Sequence, residues 1–180
     1  MRLIAITTPK VTDDDTLIIE RLLDKGVDTV HLRKPDSSID ECRELLAKLS
    51  AEHRARIVVH NYPELYEEFA LQGIHINRYV TTLPEDYRGL KSRSCHSLEE
   101  VVRYKDECDY LFLSPIFDSI SKRGYSSKFS HDELLSASRA GIIDNRVIAL
   151  GGVTPDKIDY LKSLHFGGIA MMGALNSWLR

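Results

Sequence analysis

Thiols are scarce in this sequence: Cys42, Cys95 and Cys108 are its only three. Their number and spacing match neither a disulfide framework nor a zinc motif. So few thiols fit the reducing cytoplasm, which is the expected compartment. A basic excess is also missing. The formal net charge is -3, so no nucleic-acid partner is expected, since that would need a basic face. No apolar run approaches the roughly 20 residues of a membrane span, and no membrane partner is expected. The opening run Met1–Ile6 is too short for a signal peptide and reads as a first strand. After it comes Thr7-Thr8-Pro9-Lys10, without glycine, where a doubly wound nucleotide-binding sheet would carry its fingerprint. Asp and Glu are few at the ends of the apolar runs, where Mg²⁺ would need them.

What is present is a rhythm. With 180 residues, 43% apolar and 28% charged, the chain fits one globular domain, 1–180. Short apolar runs predict strands at Leu3–Thr7, Thr29–Arg33, Ile57–His60, Ile74–Asn77, Ser92–His96, Tyr110–Ser114, Val147–Leu150 and Gly168–Met172. Near-continuous apolar strands belong in a parallel sheet covered on both faces. Helical patterns lie between them: Thr16–Leu23 closing at Gly26, Ser38–Ser50, Glu64–Leu71 after Pro63, a run capped by Ser97, and one opened by Thr154-Pro155. Ser97 with Glu100 has the form of a capping box. Thr81–Gly89 is the weakest helical stretch, and Ala174–Arg180 makes a stunted last helix. Eight alternating strands predict an α/β fold, a compact TIM (β/α)₈ barrel; an open doubly wound sheet is the competing architecture. The longest loop, Asp118 to Ser130, has the length of a functional lid.

In such a barrel the strand ends face the active site, and the loops after strands 7 and 8 hold phosphate. Two apolar runs ending in Gly151-Gly152 and Gly173 therefore predict a phosphate site built from the backbone of Gly151, Gly152, Met172 and Gly173. A valine at Gly152 should fill the approach path without unfolding the barrel. Alternation puts His31 and Arg33 on one inward face, and the Arg33 fork suits an anion; an internal ion pair is the competing reading. His31, His60, His75 and His96 all fall at strand ends, where neutral imidazoles could move protons or bind metal. Without an HxH pair or paired carboxylates, no metal site is assigned. After strand 6, Ser119, Ser121 and Lys122 form an anion hook.

Four stretches carry a resemblance over nearly the whole chain: His31-Leu32-Arg33; Arg93-Ser94-Cys95-His96-Ser97-Leu98-Glu99-Glu100; Pro115-Ile116-Phe117-Asp118-Ser119-Ile120-Ser121-Lys122; and Leu150-Gly151-Gly152-Val153-Thr154-Pro155-Asp156. The chain resembles the thiamine phosphate synthase/TenI family of (β/α)₈ barrels. In the synthases a thiazole phosphate attacks the methylene of an aminopyrimidine diphosphate, and Mg²⁺ helps the diphosphate leave. The resemblance implies that Arg33, Ser119, Ser121 and Lys122 hold the diphosphate. It also implies that Gly152, Met172 and Gly173 line the thiazole phosphate site and that Ser94 lies beside the pyrimidine; Asn61 joins the substrate-binding candidates.

The sequence departs from the synthases at three places. His60-Asn61 stands where they carry Asn and a Mg²⁺-binding Asp. Asn77-Arg78-Tyr79-Val80 stands where a second acid falls. Pro35 replaces a Lys. The TenI branch, whose members are metal-independent thiazole tautomerases, is nearer, although its base after strand 6 is matched by Pro115. The resemblance therefore implies a thiazole phosphate enzyme with His31, His60 or His96 as the proton-transfer group. No cofactor is expected, and Mg²⁺ would enter only with a synthase reaction. Its partner is a small-molecule thiazole phosphate. A true synthase and a non-catalytic phosphate-binding barrel are the alternatives. The sequence sets no oligomeric state, and a homo-oligomer stays open.

Overall fold

A computed structural model of the chain describes residues 1–78, 80–118 and 128–172. Eight strands close into a barrel in the order of the chain. They are β1 (Arg2–Ile6), β2 (Thr29–Leu32), β3 (Ile57–Val59), β4 (Gly73–Ile76), β5 (Leu90–Cys95), β6 (Tyr110–Leu113), β7 (Val147–Leu150) and β8 (Gly168–Met172). Helices α1 (Asp15–Asp24), α2 (Ile39–Lys48), α3 (Ala51–Arg54), α4 (Leu65–Glu68), α5 (Leu98–Tyr104), α6 (His131–Arg139) and α7 (Ile158–Ser163) fall between them. The pairings β1–β2, β2–β3, β3–β4, β5–β6, β6–β7 and β7–β8 are parallel. The chain is thus a compact TIM barrel. No described helix is long and apolar enough to cross a membrane.

The apolar runs became strands because burial on both faces rewards every position. All four residues of β2 and all four of β6 are buried. The helices begin at their caps. Ser38 accepts from the Glu41 N–H while the Glu41 carboxylate takes the Ser38 N–H, a reciprocal pair that starts α2. The expected Ser38–Ser50 helix is α2, and Ser50, whose hydroxyl accepts the His53 N–H, starts the separate short helix α3 beyond it. At Ser97 only half of the expected box forms. Its hydroxyl accepts from the Glu100 N–H, but the Glu100 carboxylate reaches past it to the His96 N–H at 2.6 Å. Thr154 makes no side-chain cap bond, and Pro155–Lys157 is a single 3₁₀ turn ahead of α7. Among the described residues of 80–89 there is no helix, and the expected Glu64–Leu71 helix shortens to α4. The expected helix Ala174–Arg180 lies outside the described residues.

The chain divides into two units, residues 1–3 with 92–171, and residues 4–91 with Met172. In the second of these, a buried ion pair fixes the end of β2. Lys34 points away from Arg33 and is 1% exposed at its side chain; its ammonium meets the Asp15 carboxylate at 2.6 Å. The same ammonium donates to the Lys10 carbonyl, and the same carboxylate oxygen accepts the Thr12 N–H. One charge pair thereby ties the β1–α1 connection to the end of β2. Removing one partner of a buried pair leaves the other charge uncompensated and costs about 3–5 kcal/mol. Asp15→Ala is therefore expected to lower unfolding stability by about 3 kcal/mol, while the double change Asp15→Leu with Lys34→Met recovers most of the loss. Urea unfolding of the three proteins measures both effects.

Candidate functional site

Strand register assembles a row of polar side chains in the unit of residues 4–91. Leu32 pairs with Val59, and Val59 with Ile74. One step further along each strand stand Arg33, His60 and His75, side by side. His31 is two residues behind Arg33, so it shares that face one layer deeper. The rings meet accordingly. His31 Nδ1 and His60 Nε2 are 2.8 Å apart, close enough to share one hydrogen. The His60 and His75 rings stack at 4.0 Å and 15°, and His31 approaches His75 edge-on at 5.6 Å. All three are buried. Asn77 ties the two outer histidines together, donating its amide to the carbonyls of His60 at 2.6 Å and His75 at 3.1 Å. Its own oxygen accepts the Val80 N–H.

Burial pushes the His31 and His60 imidazoles well below the ordinary value of 6.5, and the positive forms of neighbouring histidines push further in the same direction. Arg33 adds the smallest of the contributions at His60. Both rings are therefore neutral near pH 7 and can accept as well as donate. The donor atoms of His31, His60 and His75 lie within 4.8 Å of one another, which makes them the group among the described residues able to hold a metal ion.

Arg33 is half-buried. Its N–H donates to the Thr7 hydroxyl at 2.9 Å, and its carbonyl accepts from that hydroxyl at 3.2 Å. Among the described residues no carboxylate pairs with its guanidinium. The ion-pair reading fits Lys34 instead.

In the unit of residues 92–171 the turn after β7 is built from Gly151 and Gly152, with φ of +94° and +61°. Side chains other than glycine's rarely adopt such values. A Cβ on Gly152 would run into the Asp118 carbonyl and Phe117, and one on Gly151 would press on Pro115 at 3.0 Å. The Phe117 N–H donates to the Gly151 carbonyl at 3.1 Å. Lys157 donates to the Gly152 carbonyl at 2.9 Å while its ammonium lies 4.2 Å from the Phe117 ring centre. This corrects the expected effect of a valine at Gly152. It would collide with the chain's own backbone before reaching any ligand. The N–H groups of Gly151, Gly152 and Val153 donate to no acceptor among the described residues, which leaves them available to an anion. Beside this turn, Phe117, His131, Lys157 and Tyr160 help line a cleft of about 350 Å³.

Of the three proposed proton-transfer groups, His31 and His60 meet in the unit of residues 4–91. His96 belongs to the unit of residues 92–171 and is exposed, with Nδ1 3.1 Å from the Ser114 carbonyl and 3.3 Å from its hydroxyl. Asn61 and Ser94 are half-buried, and Met172 is 40% exposed at the end of β8. Ser119, Ser121, Lys122 and Gly173 lie outside the described residues. Cys95, at a strand end, is buried with its thiol pushed up to about 12 by burial, and Cys42 goes to about 11 for the same reason. Neither is a nucleophile near neutral pH. Reading the sequence alone left His75 out of the proton-transfer set. The signal for it was there: His60 and His75 each fall one residue past a position that pairs with its neighbour, but that pairing is known only once the strands are aligned.

Neutral, buried His31 and His60 also make stability depend on pH. The unfolded chain takes up protons at these residues as the pH falls below about 6.5, and the folded chain does not. The contribution is thus complete above 6.5 and is lost as the pH drops toward the lower folded values. Thermal melts from pH 8 to pH 5, with a chelator present, should show a falling Tm below 6.5. The His31→Asn/His60→Asn double variant should show a shallower fall, and an unchanged slope would place the effect elsewhere.

Comparison with known proteins matches the chain to a family. A family model described as thiamine monophosphate synthase matches residues 3–175. A crystal structure of a thiamine phosphate pyrophosphorylase from Bacteroides thetaiotaomicron is 40% identical, with a TM-score of 0.89, covering 98% of this chain and 85% of that one. A thiamine-phosphate synthase of Serratia proteamaculans is 28% identical over 166 residues, 87% of this chain and 78% of that protein. One from Parasynechococcus marenigrum is 27% identical over 168 residues, where the match spans 87% of this chain but only 47% of its relative. With a family model matched almost from end to end and a barrel of the same topology, the chain belongs to the thiamine monophosphate synthase/TenI family.

Proposed function

We propose that this chain acts on a thiazole phosphate in the making of thiamine phosphate, and that it does so as a transferase. In this reading it joins the thiazole phosphate to an aminopyrimidine diphosphate with release of diphosphate. The observation that carries the reading is the 40% identity to the Bacteroides thiamine phosphate pyrophosphorylase across 98% of the chain. Arg33, without a carboxylate partner among the described residues, is the diphosphate-holding cation. The amides after β7 hold the thiazole phosphate, together with Met172 and Gly173. Ser119, Ser121 and Lys122 are the further diphosphate contacts, and Asn61 and Ser94 border the pyrimidine.

Mg²⁺, which the family's transfer reaction uses, does not suit the donors at hand. At the ends of β3 and β4 the described side chains are His60, Asn61, Asn77 and Arg78, with no carboxylate, and the Asn77 amide is already spent on two carbonyls and an N–H. Mg²⁺ favours oxygen donors with charge. No step of the reaction is therefore routed through it, and the charge of a departing diphosphate falls to Arg33 and its neighbours.

That same donor set favours a second reaction, the metal-independent tautomerisation of a thiazole carboxylate phosphate. It needs one base and an anion clamp. His60, neutral, hydrogen-bonded to His31 and beside Arg33, supplies both the type of group and the neighbour. Purified protein given thiazole phosphate and aminopyrimidine diphosphate, with and without Mg²⁺, is expected to form thiamine phosphate. No product in either condition, with solvent proton exchange on the thiazole carboxylate phosphate, would replace the transfer by the tautomerisation. Tight thiazole phosphate binding without either reaction would make the chain a non-catalytic binder.

Arg33→Ala separates clamp from scaffold. A half-buried guanidinium without an ion-pair partner adds little to the fold, so the change is expected to cost about 0.5 kcal/mol or less of stability. Binding of inorganic diphosphate, read by calorimetry, should weaken roughly tenfold or more, the worth of a charged hydrogen bond. A large drop in Tm with unchanged binding would make Arg33 a structural residue.

A further inference from the structure

We propose that His31, His60 and His75 form a site for a first-row transition-metal ion of the Zn²⁺ class, distinct from the Mg²⁺ chemistry of the family. Three buried imidazoles from neighbouring strands have donor atoms within 4.8 Å of one another. Imidazole nitrogen is a preferred donor for Zn²⁺ and its neighbours, whereas Mg²⁺ and Ca²⁺ require oxygen. Three protein ligands with one position left over is the ligand count of an open zinc site.

The metal-free arrangement shows what the ion must change. His31 Nδ1 and His60 Nε2 stand 2.8 Å apart across a hydrogen bond. Around a tetrahedral ion with metal–nitrogen bonds of about 2.0–2.1 Å, two ligand nitrogens are about 3.3 Å apart. The pair therefore parts by about half an ångström, and the hydrogen between them moves to the other nitrogen of its own ring. His75 has the larger movement. Its ring stacks on His60 at 4.0 Å and 15°, and two parallel rings cannot both hold one ion in their planes. A turn about the His75 ring torsion opens the stack into a fan, with the β3–β4 register holding the two backbones level throughout. His60 and His75 stand near the C-terminal ends of their strands, so the fourth position opens toward that end of the barrel. Arg33, next to His60, opposes a cation there and favours an anion in the fourth position.

The test is a Co²⁺ titration of the chelator-treated full chain, followed by visible absorption, with Zn²⁺ as competitor. One equivalent of Co²⁺ should bind with the d–d absorption of a four- or five-coordinate nitrogen site, and Zn²⁺ should displace it while Mg²⁺ does not. His60→Asn and His75→Gln should each weaken Co²⁺ binding by about 100-fold or more, beyond the loss seen when outer ligand partners are removed. His131→Ala, at an exposed histidine outside the cluster, should leave it unchanged. Absence of stoichiometric binding would overturn the site, and so would variants that bind as the unaltered protein does. If a variant fails to fold, X-ray absorption at the zinc edge of the loaded unaltered protein decides: three imidazoles support the site, and one or none overturns it.

Discussion

Much of the chemistry of this barrel depends on which way two adjacent cations face at the end of β2. Arg33 and Lys34 are neighbours on an extended segment, so their side chains leave on opposite sides. Lys34 is satisfied in the protein interior by Asp15 and the Lys10 carbonyl. With that direction taken, Arg33 lies in the same row as His60 and His75, with His31 beneath. A buried ion pair is weak evidence for stability in itself. Its use here is orientational, since exchanging the two cations would put a lysine, without the planar fork, into the row and set an arginine against Asp15.

A second constraint comes from desolvation. Burial holds the His31 and His60 imidazoles in their neutral forms, and those forms are what allow the 2.8 Å contact between them. Asn77 takes up the backbone carbonyls beside His60 and His75.

The fold was readable because parallel strands buried on both faces leave apolar runs, and the runs at Val147–Leu150 and Gly168–Met172 appear in the structure with the bounds expected of them. Arg33 was readable too, since alternation needs only one strand. The histidine cluster was readable in part. Each ring stood at a strand end in the sequence, but whether two rings on different strands touch depends on register, which is a property of pairs of strands. Helix caps failed where a competitor was nearer: Glu100 has the His96 N–H within reach, so the box around Ser97 stays open on one side. The two glycines after β7 were assigned to ligand approach, yet the pressing neighbour in the Cβ direction is the loop after β6. Sequence cannot separate a glycine needed by a ligand from one needed by another loop, because both leave the same letter.

That contact between turns bears on how such a barrel can change over generations. The backbone at Phe117 and Asp118 rests on Gly152 without room for a single extra carbon, and Pro115 stands close to Gly151. Insertions and deletions after β6 have to be absorbed beyond Asp118, because any shift before it would be transmitted to the amides after β7. The loop after β6 and the turn after β7 therefore share one bearing surface, and neither backbone can shift there without the other.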